Sequence, residues 1–219
     1  MKTLQPNQFV VNQFWLAFRK NAHKLVWLGY QRALGRIKAT ADEETVTGFL
    51  YEAICEIIKY GDEPWCQKYE VKNENPLPSA IRTGKSRRKT DLIILHVFKK
   101  SHPEFVFEAK PLNWSKGYQR EDNYLNENGL KRFLKGDYAD YTRRYPEVAM
   151  VGYAFTDSLE KWQQRLKAAI DTRGSDLCVA GPQTDIQILN ELPFEWKSNH
   201  KRNNGNTELT IYHILLKCC

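Results

Sequence analysis

The chain has 219 residues, 42% of them hydrophobic, and carries a net charge of +7. That length and apolar content suffice for one domain with its own core, so folding requires neither metals nor a disulfide framework. No apolar run approaches the ~20 residues of a membrane span. The N-terminus lacks the apolar core and cleavage site of a secretory signal, and the basic excess favours a polyanionic partner.

Residues 8–38 read as helical. Phe14, Trp15, Phe18, Leu25, Val26 and Leu28 fall on one broad stripe, with Arg19, Lys20, Lys24, Arg32, Arg36 and Lys38 between them. Leu34 lies off the stripe and Gly29 is a candidate break, so one helix or two fit this stretch. Residues 1–40 are expected to form an N-terminal helical extension and 41–219 an α/β domain. The extension is read as packing on that domain, with a dimer contact or a basic arm on DNA as the other readings.

A second helix is predicted from Asp42 to Tyr60, with Asp42 as N-cap and Gly61 as stop. Val46, Leu50, Ala53, Ile54 and Ile57 share one face. At about 100° per residue, Glu43 projects near the middle of that face, Glu44 lies at its margin and Glu52 ranks third. The plain alternative is that all are exposed charges favouring a helix start. Lys68 to Lys72 reads as a first strand. Residues 73–90 read as a polar loop that ends in Lys85-Ser86-Arg87-Arg88-Lys89, a solvated run or a contact for backbone phosphates.

Two apolar runs follow, Thr90–Phe98 and Glu104–Lys110, separated by a polar break of five residues that reads as a β-hairpin. They contain three charges that apolar strands do not explain: Asp91 at the start of the first, and Glu108 and Lys110 at the end of the second. Charges buried in a strand are costly unless paired or metal-bound. Glu108 and Lys110 point to one face, and antiparallel return brings Asp91 near them. Strict opposition places Asp91 nearer Pro111, so a twist or bulge is expected to help. Two carboxylates with water suit Mg²⁺, and Lys110 is placed to steady an attacking hydroxide or the phosphorus it attacks.

Residues 118–145 read as helical with a break at Asn126-Glu127-Asn128-Gly129. Lys131, Arg132, Lys135, Arg143 and Arg144 alternate there with Tyr118, Tyr124, Tyr138 and Tyr141. Such interleaving either clamps phosphates and stacks bases or places tyrosines in a core, and the core reading is preferred. Val148 to Phe155 reads as a strand covered on both faces. Asp157 is expected to cap a helix running to Asp171, Ser198–Thr207 to turn a final hairpin, and Glu208 to Lys217 to close the sheet.

Asp91 with Glu108-Ala109-Lys110, on successive strands after a Glu-bearing helix, resembles the PD-(D/E)xK nuclease superfamily over roughly residues 42–155. Thr90 stands where that family usually has Pro. The resemblance implies a restriction-endonuclease-like αβββαβ core, a mixed central sheet flanked by helices. It implies Asp91 and Glu108 as metal ligands, Lys110 as catalytic, Glu43 or Glu44 as the helix-borne acid, and Mg²⁺ as cofactor with Mn²⁺ as substitute. The reaction implied is phosphodiester hydrolysis leaving a 5′-phosphate, on DNA rather than RNA. Arg87, Arg88, Lys89, Gln119 and Arg132 are the implied nucleic-acid contacts. A homodimer, an ATPase or sensor partner and a role in anti-invader defence are further expectations of the resemblance.

Other chemistries lack their signatures. There is no Gly-x-x-x-x-Gly-Lys phosphate loop and no Gly-x-Ser-x-Gly elbow. His23, His96, His102, His200 and His213 are scattered and form no metal pair, and His96 reads as a core or edge histidine. Cys55, Cys66, Cys178, Cys218 and Cys219 form no Cys-x-x-Cys, and an odd count without a framework predicts a reducing cytoplasm. Two other readings stay beside the nuclease: a non-catalytic nucleic-acid-binding or assembly subunit on the same fold, and a structural salt bridge between Asp91 and Lys110.

Overall fold

The computed structural model describes residues 6–61, 63–76, 89–97, 103–115, 121–135, 146–202 and 208–218. The first helix, α1 (Pro6–Ala33), ends in a 3-10 turn at Leu34–Arg36 and is followed by α2 (Glu43–Tyr60). Strands β1 (Tyr69–Pro76), β2 (Lys89–His96) and β3 (Glu104–Leu112) come next, then two short helices, α3 (Glu121–Leu125) and α4 (Lys131–Leu134). Strand β4 (Glu147–Ala154), α5 (Leu159–Thr172), β5 (Thr184–Asp185), β6 (Trp196–Lys201) and β7 (Glu208–Lys217) complete the described elements.

The strands form one seven-stranded sheet in the order β1-β2-β3-β4-β7-β6-β5. β3, β4 and β7 are parallel neighbours at its centre, and antiparallel pairs extend it to both sides. The architecture is therefore α/β, a mixed sheet flanked by helices with an N-terminal helix. Alternation along the strands divides the interior in two. Leu92, Ile94, Phe105, Phe107 and Ala109 pack with Phe18, Ala22 and Leu25 of α1 and Val46, Leu50 and Ile54 of α2. Ile93, Leu95, Val106 and Leu112 pack on the other face with Tyr124, Phe133, Trp162 and Leu166. No helix among the described residues is long and apolar enough to cross a membrane.

Several sequence expectations need correction. Gly29 does not break α1, which runs through it. It lies where the helix crosses α2, and a Cβ there would stand 2.5 Å from Ile54 Cγ1 and 3.2 Å from the Leu50 carbonyl oxygen. The glycine allows close packing rather than a kink. The stretch 73–90 is not all loop, because Asn73–Pro76 and Lys89–Thr90 pair as extensions of β1 and β2. Ser158, not Asp157, caps α5 by accepting from the Lys161 amide. Asp157 instead adopts a left-handed φ of 57° and pairs with Arg165 at 3.0 Å. Ser198 to Lys201 belong to strand β6 rather than to a turn.

The histidines that look scattered in sequence are partly joined in space. Leu177 O can only accept, so His200 Nδ1 donates to it at 2.7 Å. The neutral ring then accepts at Nε2 from the Ser198 hydroxyl, 2.7 Å away. Ser198 Oγ accepts in turn from His213 Nε2 at 2.8 Å, and His213 Nδ1 accepts from the Tyr124 hydroxyl at 3.0 Å. Every donor in this buried chain has one acceptor, which requires both rings neutral. Burial pulls His200 down to about 4, and burial together with His200 holds His213 well below the ordinary range.

Two predictions follow from this packing. Gly29→Ala is expected to destabilise the fold by about 1–3 kcal/mol through overpacking at the α1–α2 crossing, measured by urea denaturation; an unchanged midpoint refutes the close-approach role. For His200, the unfolded ring takes a proton near pH 6.5 and the folded ring only near 4, so stability is full above about 6.5 and is lost as pH falls toward 4. Asn at this position cannot titrate. The destabilisation caused by His200→Asn should therefore shrink between pH 7.5 and pH 4.5 by up to about 3 kcal/mol. A pH-independent difference contradicts the buried neutral ring.

Candidate functional site

Asp42 begins the assembly of the site. Its carboxylate accepts from the Thr45 amide at 2.9 Å and fixes the start of α2. With Val46, Leu50 and Ile54 buried against the sheet, the first turn is held over the strand ends and Glu43 is aimed inward. Its carboxylate receives the Lys110 ammonium at 2.6 Å. Glu44 is exposed, and Glu52 pairs with Arg36 at 2.7 Å on the outer surface. Of the three candidate helix acids, only Glu43 contacts Lys110.

The strand register brings the other charges together. β2 and β3 pair with Leu92 opposite Phe107 and Ile93 opposite Val106. One step further, Asp91 stands across from Glu108, not Pro111. β2 ends at His96, earlier than the apolar run suggests, and neither twist nor bulge is needed. Asp91 Oδ2 accepts from the Ala109 amide at 2.6 Å and lies 3.8 Å from Lys110 Nζ. Glu108 Oε1 lies 3.0 Å from the same ammonium. Lys110 also donates to the Ala109 carbonyl at 2.6 Å. Three carboxylates from three elements thus converge on one lysine.

Arg132 closes the cluster from the opposite face of the sheet. Phe133 and Leu134 anchor α4 in the core, and the guanidinium pairs with Glu108 and donates to the Lys89 carbonyl at 2.7 Å. Only 14% of the Arg132 side chain is exposed and none of Glu108. The expected phosphate contact is therefore placed as a counter-ion to the carboxylate and a tie to the start of β2. Lys89 lies at the surface and pairs with Glu74 at 2.6 Å. Arg87, Arg88 and Gln119 lie outside the described residues, as do Tyr118, Tyr138, Tyr141, Arg143 and Arg144.

The electrostatics are uneven. Burial pushes Asp91 up, Glu108 adds to the rise, and Lys110 with the Ala109 amide offsets it only in part, leaving a value of about 6. Burial likewise raises Glu43 although Lys110 opposes it. Burial pulls Lys110 down, but Glu108, Asp91 and Glu43 together outweigh it and raise the ammonium overall. With all groups ionised, Glu43, Asp91 and Glu108 face Lys110 and Arg132, three negative charges against two positive.

A small hollow beside Asp91 is lined by Glu43, Glu44, Thr47, Gly48, Asn73 and Glu74. Glu74 was not legible as a site residue. It lies between Asn73, opposite Leu92, and Asn75, opposite Thr90, in the β1–β2 ladder and adopts a left-handed φ of 44°, a conformation that costs energy in a non-glycine residue. The Thr47 hydroxyl and Tyr153 hydroxyl, 3.0 Å apart, tie this end of α2 to β4.

The oxygen donors of this cluster suit a hard divalent cation, and the surplus negative charge on Asp91 and Glu108 is of the kind such an ion neutralises. No group of three or more His, Cys, Asp or Glu side chains among the described residues is arranged to hold one metal. Mg²⁺ is commonly held by one or two carboxylates together with water and substrate phosphate; Glu108 is fully buried here and paired with Arg132 and Lys110.

The chain matches no protein-family model, no curated protein and no solved structure.

Removing one partner from a buried ion pair leaves an uncompensated charge and costs about 3–5 kcal/mol. Arg132→Met is expected to destabilise the chain at the low end of that range, since Lys110 still faces Glu108. Adding Glu108→Gln to Arg132→Met should recover a large part of the loss. Chemical denaturation of the two single variants and the double variant checks this, and strictly additive losses contradict the coupling.

Proposed function

We propose that the chain is a metal-dependent nuclease that hydrolyses phosphodiester bonds on a restriction-endonuclease-like fold. The supporting observation is the convergence of Glu43, Asp91, Glu108 and Lys110 at one end of a mixed sheet. The element order from α2 onward, helix, three strands, two short helices and strand, is compatible with the αβββαβ core of the PD-(D/E)xK superfamily. The preference for DNA over RNA comes from that resemblance, and the net charge of +7 fits either polyanion.

In this reading Asp91 and Glu108 hold Mg²⁺, with Mn²⁺ able to substitute. Bound there, the ion would supply charge neutralisation at the phosphate and a more acidic water. Glu43 fixes the Lys110 ammonium, so its donors need not reorganise as charge develops. Lys110 orients the water oxygen and stabilises the negative charge gathered on the non-bridging phosphate oxygens. The water oxygen bonds to phosphorus and gives up a proton to solvent, the bond to the 3′ oxygen breaks, and that oxygen takes a proton from solvent, leaving a 5′-phosphate. Arg132 keeps Glu108 in place from behind.

One observation favours a second reading. Each of the three carboxylates already faces Lys110, as a purely structural network would have it, and the chain would then bind nucleic acid without cutting it. Incubating plasmid, single-stranded DNA and RNA with the protein in Mg²⁺ or Mn²⁺ separates the two. The nuclease reading expects cleavage that EDTA abolishes, and a loss of roughly 100-fold or more in rate in Asp91→Ala and Lys110→Ala. Full activity in either variant refutes the assignment. Salt-sensitive binding without turnover supports the non-catalytic reading.

A further inference from the structure

A groove of about 460 Å³ lies between the first half of α1 and strands β6 and β7. Leu16, Arg19 and Lys20 of α1 line it on one side, and Ile186 and Ile188, from the segment after β5, on the other. Strand alternation explains how Lys197 reaches it. Trp196 packs in the layer of Trp162 and Leu166, so Lys197, the next residue of β6, turns to the opposite face. There it stands across from Tyr212 in the antiparallel β6–β7 register, and Tyr212 packs in the layer that α1 covers. Arg19 lies over Tyr212, donating to its hydroxyl and pairing with Glu147 at 2.9 Å. Lys197 beside it is only half-buried and opens into the groove.

The charges lining this groove are of one sign. Arg19 is matched by Glu147. Lys20 and Lys197 have no carboxylate or other acceptor among the described residues. A lysine in open water needs none, but Lys197 is held on a strand and is partly desolvated. The acids nearest in sequence are engaged elsewhere. Asp185 pairs with Lys167 of α5 at 2.9 Å. Glu195 is buried, pairs with His23 Nδ1 at 2.8 Å and accepts from the Ile188 and Leu189 amides at 3.0 and 3.2 Å. Those bonds, with the one from the Ile186 amide to the Glu195 carbonyl at 3.1 Å, pin the wall that carries the two isoleucines. Between the cations the surface is aliphatic: Leu16 is 46% exposed, and Ile186 and Ile188 are half-buried.

We infer that this groove docks an extended acidic segment of a partner protein. An apolar side chain of the segment rests on Leu16, Ile186 and Ile188, and its carboxylates face Lys20 and Lys197. Charge complementarity fixes the sign of the occupant. The aliphatic surface fixes its class. A nucleic-acid strand would use the cations but gain nothing from the aliphatic side chains, and the one aromatic ring in the lining, Tyr212, is 4% exposed and offers no face to a base. A second copy of this chain carries the same net charge of +7, and that repulsion opposes docking it here. The pinned wall lowers the ordering cost of binding. None of these residues belongs to the Lys110 cluster, so the inference stands apart from the nuclease reading.

The test selects random dodecapeptides displayed on phage against the immobilised full chain. The enriched peptides should carry several Asp or Glu around an aliphatic or aromatic residue. A labelled synthetic copy of the most enriched peptide is then titrated by fluorescence anisotropy. Lys20→Glu with Lys197→Glu should weaken it by at least about 10-fold, and Leu16→Ser by roughly 5-fold. The charge-matched control Lys38→Glu with Lys59→Glu, outside the groove, should change it little. Circular dichroism checks that each variant is folded. Hydrogen exchange of the unsubstituted chain gives a reading free of substitution: the peptide should slow exchange at residues 186–189 and 13–20. Failure to enrich acidic peptides overturns the inference, as does equal weakening in the groove and control variants, or protection confined to other segments. Labelled oligothymidylate is the competing probe. If it displaces the peptide and loses affinity in the groove variant but not in the control, the occupant is nucleic acid and the inference fails.

Discussion

The Lys110 ammonium, held among Glu43, Asp91 and Glu108, is the interaction on which the rest of this molecule turns. The residue is 4% exposed on a central strand, where an unpaired ammonium would lose its charge or unfold the strand. Its partners come from a helix start and two strands, and Arg132 supports one of them from a helix on the other face. None of these contacts exists until α2 has packed, β2 and β3 have found register, and α4 has docked. The cluster therefore depends on the whole α2-to-α4 assembly. At neutral pH an aspartate raised to about 6 is ionised against the preference of its surroundings, at a cost of about 3 kcal/mol. The same contacts act in the other direction on the ammonium, which they raise, so cost and gain are shared within the cluster.

The buried chain from Tyr124 through His213 and Ser198 to His200 shows the opposite solution. It is as deeply placed as Lys110 but neutral, and each hydrogen has one acceptor along it. It links α3 to β7, β6 and the turn at Leu177, and α3 is tied to the helix that carries Arg132 by the bond from the Leu130 amide to the Tyr124 carbonyl. A satisfied polar network specifies one arrangement of a core. Here it holds the layer behind the ionic cluster rigid, while the cluster keeps its excess of negative charge.

Much of this was legible in sequence where a local rule acts alone. The Asp42 cap, the inward stripe of α2 and the bounds of the last strand follow from capping chemistry and periodicity, and Glu43 follows from its angle on the wheel. The Asp91–Glu108 pairing was expected, but its register was displaced toward Pro111. A polar break says that a hairpin turns without saying which residues leave the ladder, and Val97 is as apolar as the strand it follows. Glu74 was hidden by its polar surroundings, which read as loop although they extend β1. The Ser198 and His200 side chains share a face by simple alternation. That signal was present, but it was lost once the segment was taken for a turn. Gly29 carried no local mark to separate a break from a close crossing, since only the partner helix decides between them.

The charge balance of the site places a demand on the rest of the surface. With three carboxylates against two cations, the cluster repels a phosphate backbone until a divalent ion offsets the excess, so it cannot supply the energy that holds a polyanion. If the chain cuts nucleic acid, that energy has to come from groups outside the cluster. Arg132 is spent on Glu108, and Lys89 faces Glu74. Separating the two tasks has a physical advantage: residues that grip the strand can be strongly cationic without lowering the charge at Asp91 and Glu108 that a metal would need.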